Sequence, residues 1–271
     1  MRRLALWVVV FAVVVTAGCS SLAGDDGATA DSSTVTAVPI QTPQSTPAPS
    51  TVAPGLATDR IVDYTALVEN HGRVINGTAH TYRRNVTRRY ANGTVWRTYS
   101  TVVERNGSTL RYRYNWTTAA STGSGQVIDR WTSGDRTYVA RTDGNRTTYA
   151  VENATAGGGP VLGTRSGYAA SLPQFLQRLE VTVAGTESRN GQRLYRLETP
   201  EPKALPPSRN VTFVGYVTPD GVFTEYRLTY DVVRRDTSIG VTVAASFEGI
   251  GSTTVSRPEW VDRVPESERP E

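Results

Sequence analysis

Six dipeptides punctuate the chain: Asn92-Gly93, Asn106-Gly107, Gly134-Asp135, Asp143-Gly144, Asn190-Gly191 and Asp220-Gly221. Asn-Gly and Asp-Gly supply the positive φ angles that tight hairpins need. Between them lie segments of roughly 8–12 residues rich in Val, Thr, Tyr and Trp, the signature of an antiparallel sheet made of successive hairpins. The clearest segment is Val222 to Val233. Val222, Tyr226, Leu228, Tyr230 and Val232 share one face, while Glu225, Arg227 and Asp231 share the other. Period-two alternation of this kind turns one side toward a core or cavity and the other toward water. Residues 193–198 repeat it, with Tyr195 and Leu197 opposed by Arg196 and Glu198. So do residues 109–116, where Leu110, Tyr112, Tyr114 and Trp116 oppose Arg111 and Arg113. Residues 241–247 give a further strand.

Two helices interrupt this meander. The spacing of Ile61, Tyr64, Leu67, Val68 and His71 predicts a helix from about Asp59 to Asn70, with Thr58 as its N-cap. A second helix follows the Gly-rich stretch 157–167. There Ser171-Leu-Pro-Gln174 fits a capping box, Phe175, Leu176 and Leu179 form an apolar edge, and Tyr168 packs just before. Helix, long meander, helix, then more strands is an α+β arrangement around one large curved antiparallel sheet. The order resembles the LolA/LppX-like lipoprotein fold, an unclosed half-barrel with two helices on its concave side. The segment from Val241 to Phe247, then Gly249 to Gly251, then Thr253 to Trp260, is similar to the closing segment of haloarchaeal cell-surface lipoproteins of unknown function. The resemblance covers about residues 59–264. It implies a mouth that holds acyl chains or another apolar ligand, and it carries no catalytic residues.

The amino terminus adds a location. Arg2 and Arg3 precede an unbroken apolar run, Leu4 to Val15, and then Thr16-Ala-Gly-Cys19. A charged start, a short apolar stretch and small residues before a cut site make a signal peptide over residues 1–18. The run is too short to span a bilayer, which takes roughly 20 apolar residues. Cys19 is the one cysteine of the chain, and its setting resembles the lipobox of prokaryotic lipoproteins. That resemblance implies a lipid on the Cys19 sulfur, a membrane held as partner through it, and a place on the extracytoplasmic face. Residues 19–58 carry Pro39, Pro43, Pro47, Pro49 and Pro54 among Ser, Thr, Ala and Gly. Such a segment has too little apolar surface to offset its ordering entropy, and reads as an extended, disordered tether. A plain spacer and an O-glycan-bearing stalk both fit this composition. Residues 59–264 form one domain, and 265–271 a polar tail.

Charge and motifs narrow the chemistry. The formal charge of +4 includes Arg2 and Arg3, and the remaining arginines are scattered, so nucleic acid is not an expected partner. Arginine outnumbers lysine 28 to 1, the style of a GC-rich genome. Only His71 and His80 could join a metal site, too few for zinc or copper ligation. His71 falls at the predicted end of the first helix, where histidine commonly meets terminal carbonyls. No Gly-x-Ser-x-Gly occurs, and Gly157-Gly-Gly-Pro160 lacks the Lys of a phosphate loop. Asp59, Asp63 and Glu69 suit the wet face of a helix better than a carboxylate pair. These readings describe a non-catalytic protein without cofactor or metal.

Aromatic residues are the richer signal. Tyr112, Tyr114, Trp116, Tyr226, Leu228 and Tyr230 are the candidate lining of a ligand cavity. Rings of this kind suit a pleated, half-buried surface in any sheet, and they also suit the rim of an apolar pocket. Eight Asn-x-Ser/Thr sequons stand at Asn76, Asn85, Asn92, Asn106, Asn115, Asn145, Asn153 and Asn210. Each is a glycan acceptor in an exported chain, although a hairpin turn running into a Thr-rich strand produces the same string. Two functions remain open on this evidence. One is an anchored module that binds a lipid or other apolar ligand. The other is a structural or interaction protein of the cell surface with no small-molecule ligand.

Overall fold

The computed structural model describes residues 50–118, 125–153, 172–234 and 237–265, all within one unit, Ala48–Glu271. The signal peptide, Cys19, most of the tether, Tyr168, Ser171 and the last six residues lie outside the described residues. In chain order the elements are β1 (Thr51–Ala53), β2 (Leu56–Ala57), α1 (Tyr64–Gly77), β3 (His80–Tyr90), β4 (Val95–Asn106), β5 (Thr109–Thr118), β6 (Val127–Ser133), β7 (Arg136–Asp143) and β8 (Arg146–Asn153). Then come α2 (Leu172–Leu179), β9 (Thr182–Arg189), β10 (Gln192–Glu198), β11 (Lys203–Leu205), β12 (Ser208–Val217), β13 (Phe223–Arg234) and β14 (Thr237–Glu248).

Twelve strands form one antiparallel sheet that is not closed into a barrel. Its order is β8-β7-β6-β5-β4-β3-β14-β13-β12-β10-β9, with β11 paired to β12. All six turn dipeptides fall between consecutive hairpin strands, and Gly93, Gly107, Gly134, Gly144, Gly191 and Gly221 all take positive φ there. Threonine pairs staple neighbouring strands, with hydroxyl oxygens 2.6 Å apart at Thr98–Thr117 and 2.9 Å at Thr132–Thr137 and Thr142–Thr147. Such cross-strand pairs each add roughly 0.2–1 kcal/mol.

Paired residues share a face of the sheet, and neighbours along a strand alternate. One row therefore runs Phe213, Leu228, Val243, Val86, Tyr99, Trp116 across β12, β13, β14, β3, β4 and β5. Both helices lie on this side. Leu67 of α1 and Leu176 and Leu179 of α2 are wholly enclosed in one core with Phe213, Leu228, Val243 and Val86. Burying each of these side chains contributes roughly 1.5–3 kcal/mol. The core sits over the β9–β14 wing, and thins out toward β4 and β5.

Two boundaries differ from the sequence expectation. The first helix begins at Tyr64, not Asp59, and runs to Gly77. Its N-cap is Asp63, whose carboxylate accepts from the Ala66 N–H at 2.9 Å, rather than Thr58. Ile61 is held in a bridge to Leu56, which keeps it out of the helix. The folded unit also begins before Asp59. Strands β1 and β2, read from sequence as tether, bury Ala53, Leu56 and Ala57. The Gly55 carbonyl between them accepts from the Val62 and Asp63 N–H groups and so holds the helix entrance.

After β14 the chain turns at Gly249–Gly251 and crosses the other side of the sheet, called here the far face. Thr253 meets Thr81, Arg257 lies over the Trp131 ring, and a short 3-10 turn, Glu259–Arg263, packs on β7. Trp260 stacks on Tyr149 with centroids 6.3 Å apart, and its indole N–H donates to Asp129 at 2.8 Å.

Candidate functional site

The two faces of strands β3 to β6 differ sharply in charge. On the far face every arginine but one faces a carboxylate. Arg83 pairs with Glu248 at 3.0 Å, Arg113 with Glu104 at 2.8 Å, and Arg111 with Asp129 through two bonds of 2.7 and 3.1 Å. The remaining one, Arg89, donates to the Gly93 carbonyl. A shallow trough of about 570 Å³ runs along this face beside Arg83, Asn85, Tyr216, Glu225, Ser246 and Glu248. A smaller one of about 320 Å³ adjoins Arg83, Ser100, Arg113, Asn115 and Asp129. Both are bordered by ion pairs, with Arg189 clasped between Glu187 and Glu225 at one edge of the first.

The helix-side face of the same strands holds rings and arginines and no carboxylate. The register places Tyr82, Arg84, Val86, Arg88 and Tyr90 of β3 on it, with Arg97, Tyr99, Thr101, Val103 and Arg105 of β4. Leu110, Tyr112, Tyr114 and Trp116 of β5 follow, then Ile128 and Arg130 of β6. Tyr112 and Tyr114 are stacked 6.5 Å apart, and Tyr99 lies 6.4 Å from Tyr114. These rings are half-buried, so they form an open shelf continuous with the enclosed core. Burial raises the phenol pKa of Tyr112 and of Tyr114, which keeps both hydroxyls neutral.

The six candidate lining residues thus lie on one face but divide between two settings. Leu228 is inside the core, with Tyr226 and Tyr230 packed against it. Tyr226 stacks on Phe213, shares a hydrogen bond with Tyr82, and burial raises the pKa of both hydroxyls. Tyr112, Tyr114 and Trp116 make up the shelf. Trp96, a ring that the sequence also offers for the concave face, joins them, and Tyr99, Arg88 and Arg97, which sequence reading missed, complete the shelf. The register is what puts Arg88 on the same side as Val86 and opposite Arg97.

Neither histidine joins an acid–base group. His71 stands within α1 rather than at its end, with its Nδ1 accepting from the Phe223 N–H at 3.2 Å and its ring edge-on to Phe247 at 4.7 Å. Burial, with a lesser contribution from His80, lowers its pKa to about 4, so it is neutral near pH 7. His80 is fully enclosed, its Nδ1 lies 2.9 Å from the Thr78 carbonyl, and burial lowers its pKa too. Asp59, Asp63 and Glu69 are exposed. Among the described residues no three His, Cys, Asp or Glu side chains gather as metal ligands would, and no helix is long and apolar enough to cross a membrane. All eight sequon asparagines are exposed.

Comparison with known proteins gives a family and some distant shapes. No curated protein matches the chain. Among solved structures, a DUF1329 family protein from Desulfovibrio piger is 12% identical, with a TM-score of 0.27 over 73% of this chain and 95% of that one. The Pseudomonas aeruginosa MucA/MucB complex gives 13% identity and a TM-score of 0.30, over 73% of this chain and 59% of the matched one. A putative outer membrane lipoprotein-sorting protein domain from Vibrio parahaemolyticus gives 10% and 0.24, over 74% and 98%. These scores are low, and the architecture stands on the strand register itself. The family model that does match spans residues 3–264, nearly the whole chain. The protein accordingly belongs to the Family of unknown function (DUF7537).

Proposed function

We propose that this protein is a non-catalytic binding module, lipid-anchored through Cys19 on the extracytoplasmic side of a membrane, that holds a lipid or other apolar ligand on its helix-side face. The observation that carries this reading is the half-buried shelf of Trp96, Tyr99, Tyr112, Tyr114 and Trp116 beside the core. A sheet face left uncovered would favour polar side chains, as the ion-paired far face does. Rings that are apolar in body and polar at the tip are instead suited to a surface shared by water and an apolar guest. The predicted leader and lipobox supply the location, and the LolA/LppX-like resemblance agrees with the kind of cargo.

The test is retention and competition. Native mass spectrometry of the purified full chain should find a co-purified lipid. Replacing the shelf rings, Tyr114→Ala with Trp116→Ala, should weaken binding of an apolar fluorophore at least about tenfold, as expected when large aromatic contact area is removed. A chain that carries no lipid and binds the fluorophore equally well with and without those rings is not a module of this kind.

The exposure of all eight sequon asparagines favours the second reading, a surface interaction protein. Glycans mapped to Asn85 and Asn115, which open onto the far-face troughs, would support that reading for the far face without occupying the shelf.

A further inference from the structure

The shelf ends in a pair of arginines that no carboxylate among the described residues neutralises. Arg88 and Arg97 stand directly opposite each other in the β3–β4 register, on the helix-side face. Like charges directly opposed across two strands destabilise a sheet, and among the described residues no ion pair forms at either arginine. The nearest partners are rings. The Arg97 guanidinium lies 4.9 Å from the Trp116 centroid and 5.4 Å from Trp96, and that of Arg88 lies 5.2 Å from Tyr99 and 5.7 Å from Trp96. Arg97 also donates to the Tyr99 hydroxyl at 3.3 Å.

These contacts orient the cations without neutralising them. A guanidinium held against rings keeps its charge, and its remaining N–H groups match the oxygens of a phosphate or carboxylate. The Nε atoms of both arginines are buried and lack a hydrogen-bond partner, an expense in free energy that a bound acceptor would remove. Next to the pair in the register, Val241 faces Arg88, and the row of Val243, Val86, Tyr99 and Trp116 runs alongside. A cationic clamp therefore borders an apolar track.

We infer that Arg88 and Arg97 form the head-group clamp for an anionic amphiphile, binding a phosphate-type oxyanion while the apolar chain lies along the shelf. The inference rests on the binding function proposed above and names its ligand class. A free oxyanion shares the head-group chemistry but lacks the chain, so the test separates the two.

The full chain, held in phosphatidylcholine nanodiscs, is titrated with dihexanoyl phosphatidic acid, with dihexanoylglycerol, and with inorganic phosphate, each corrected for empty discs. The phosphorylated lipid should bind at least about tenfold more tightly than the neutral one, as one or two charge-assisted bonds provide. Arg88→Gln with Arg97→Gln should abolish that preference, so that the double variant binds the phosphorylated lipid no more tightly than it binds dihexanoylglycerol. Arg113→Gln, on the far face, should keep it. Thermal melting controls for folding, and the double variant should melt no lower than the wild type in low salt, since a like-charge contact is removed. Equal binding of the two lipids overturns the clamp and leaves the binding function standing. Failure of both lipids overturns the function itself. Inorganic phosphate binding as tightly as the phosphorylated lipid overturns the amphiphile assignment in favour of a free oxyanion.

Discussion

At the scale of single residues, the two histidines illustrate how place overrides type. His71 and His80 were unattractive as ligands from sequence, and the fold explains their presence as packing and hydrogen-bonding groups. A histidine whose folded-state pKa lies below its free value of about 6.5 holds its proton less well folded than unfolded. Its stabilising contribution is therefore complete above about pH 6.5 and is lost as pH falls toward 4, by on the order of 3 kcal/mol for a shift to about 4. His80 is lowered in the same direction. Urea midpoints measured between pH 7 and 4 should fall across that window, before most carboxylates protonate. His71→Gln keeps an acceptor for the Phe223 N–H but has no proton to bind, so its profile should be flatter. An unchanged slope in that variant would remove His71 as the cause. None of this was legible in the sequence, because what lowers both pKa values is an enclosure built from residues far away in the chain, Phe223 and Phe247 among them.

At the scale of elements, legibility followed locality. A hairpin is encoded within a few residues, by a dipeptide that tolerates positive φ, and all six such turns stand where the sequence put them. Alternation in 109–116, 193–198 and 241–247 likewise returned as strands. The first helix was displaced because two signals competed: apolar spacing began at Ile61, whereas capping is possible only at Asp63 once Ile61 bridges Leu56. The small strand pair was hidden by composition. Leu56 is a lone large apolar residue in a run of Ser, Thr, Pro and Ala, and no periodicity marks a single buried side chain. It is wholly enclosed against α1 and the core. Leu56→Ala should therefore cost about 2–5 kcal/mol, read as a lowered denaturant midpoint with an unchanged slope. A change within about 0.5 kcal/mol, typical of surface sites, would return the segment to the tether. The arginine clamp escaped notice for a related reason, since its meaning lies in the pairing of two strands rather than in either alone.

At the scale of the whole molecule, one face of the open sheet is closed by helices over its second wing and left as an aromatic shelf over its first. The opposite face is crossed by the carboxy-terminal strap and carries ion pairs such as Arg83–Glu248, Arg113–Glu104 and Arg111–Asp129. The binding role proposed above calls for a location, and the proposed lipid on Cys19 is the feature that would give it one. Cys19→Ser should move the protein from the membrane fraction to the soluble one, or leave it unprocessed, in a fractionation blot. Persistence of a cut, membrane-bound Cys19→Ser form would remove the lipid anchor from this account. The position of β14 also sets a schedule for folding. The β3–β8 wing is a succession of neighbours in the chain, and hairpins of that kind close in about 1–10 μs. Its junction with the other wing, Val86 against Val243, must await the final strand to leave the ribosome. Until then the β3 edge stays bare, a template for strands of other chains. The exposed interval in this protein's life is thus the gap between making its first sheet strand and making its last.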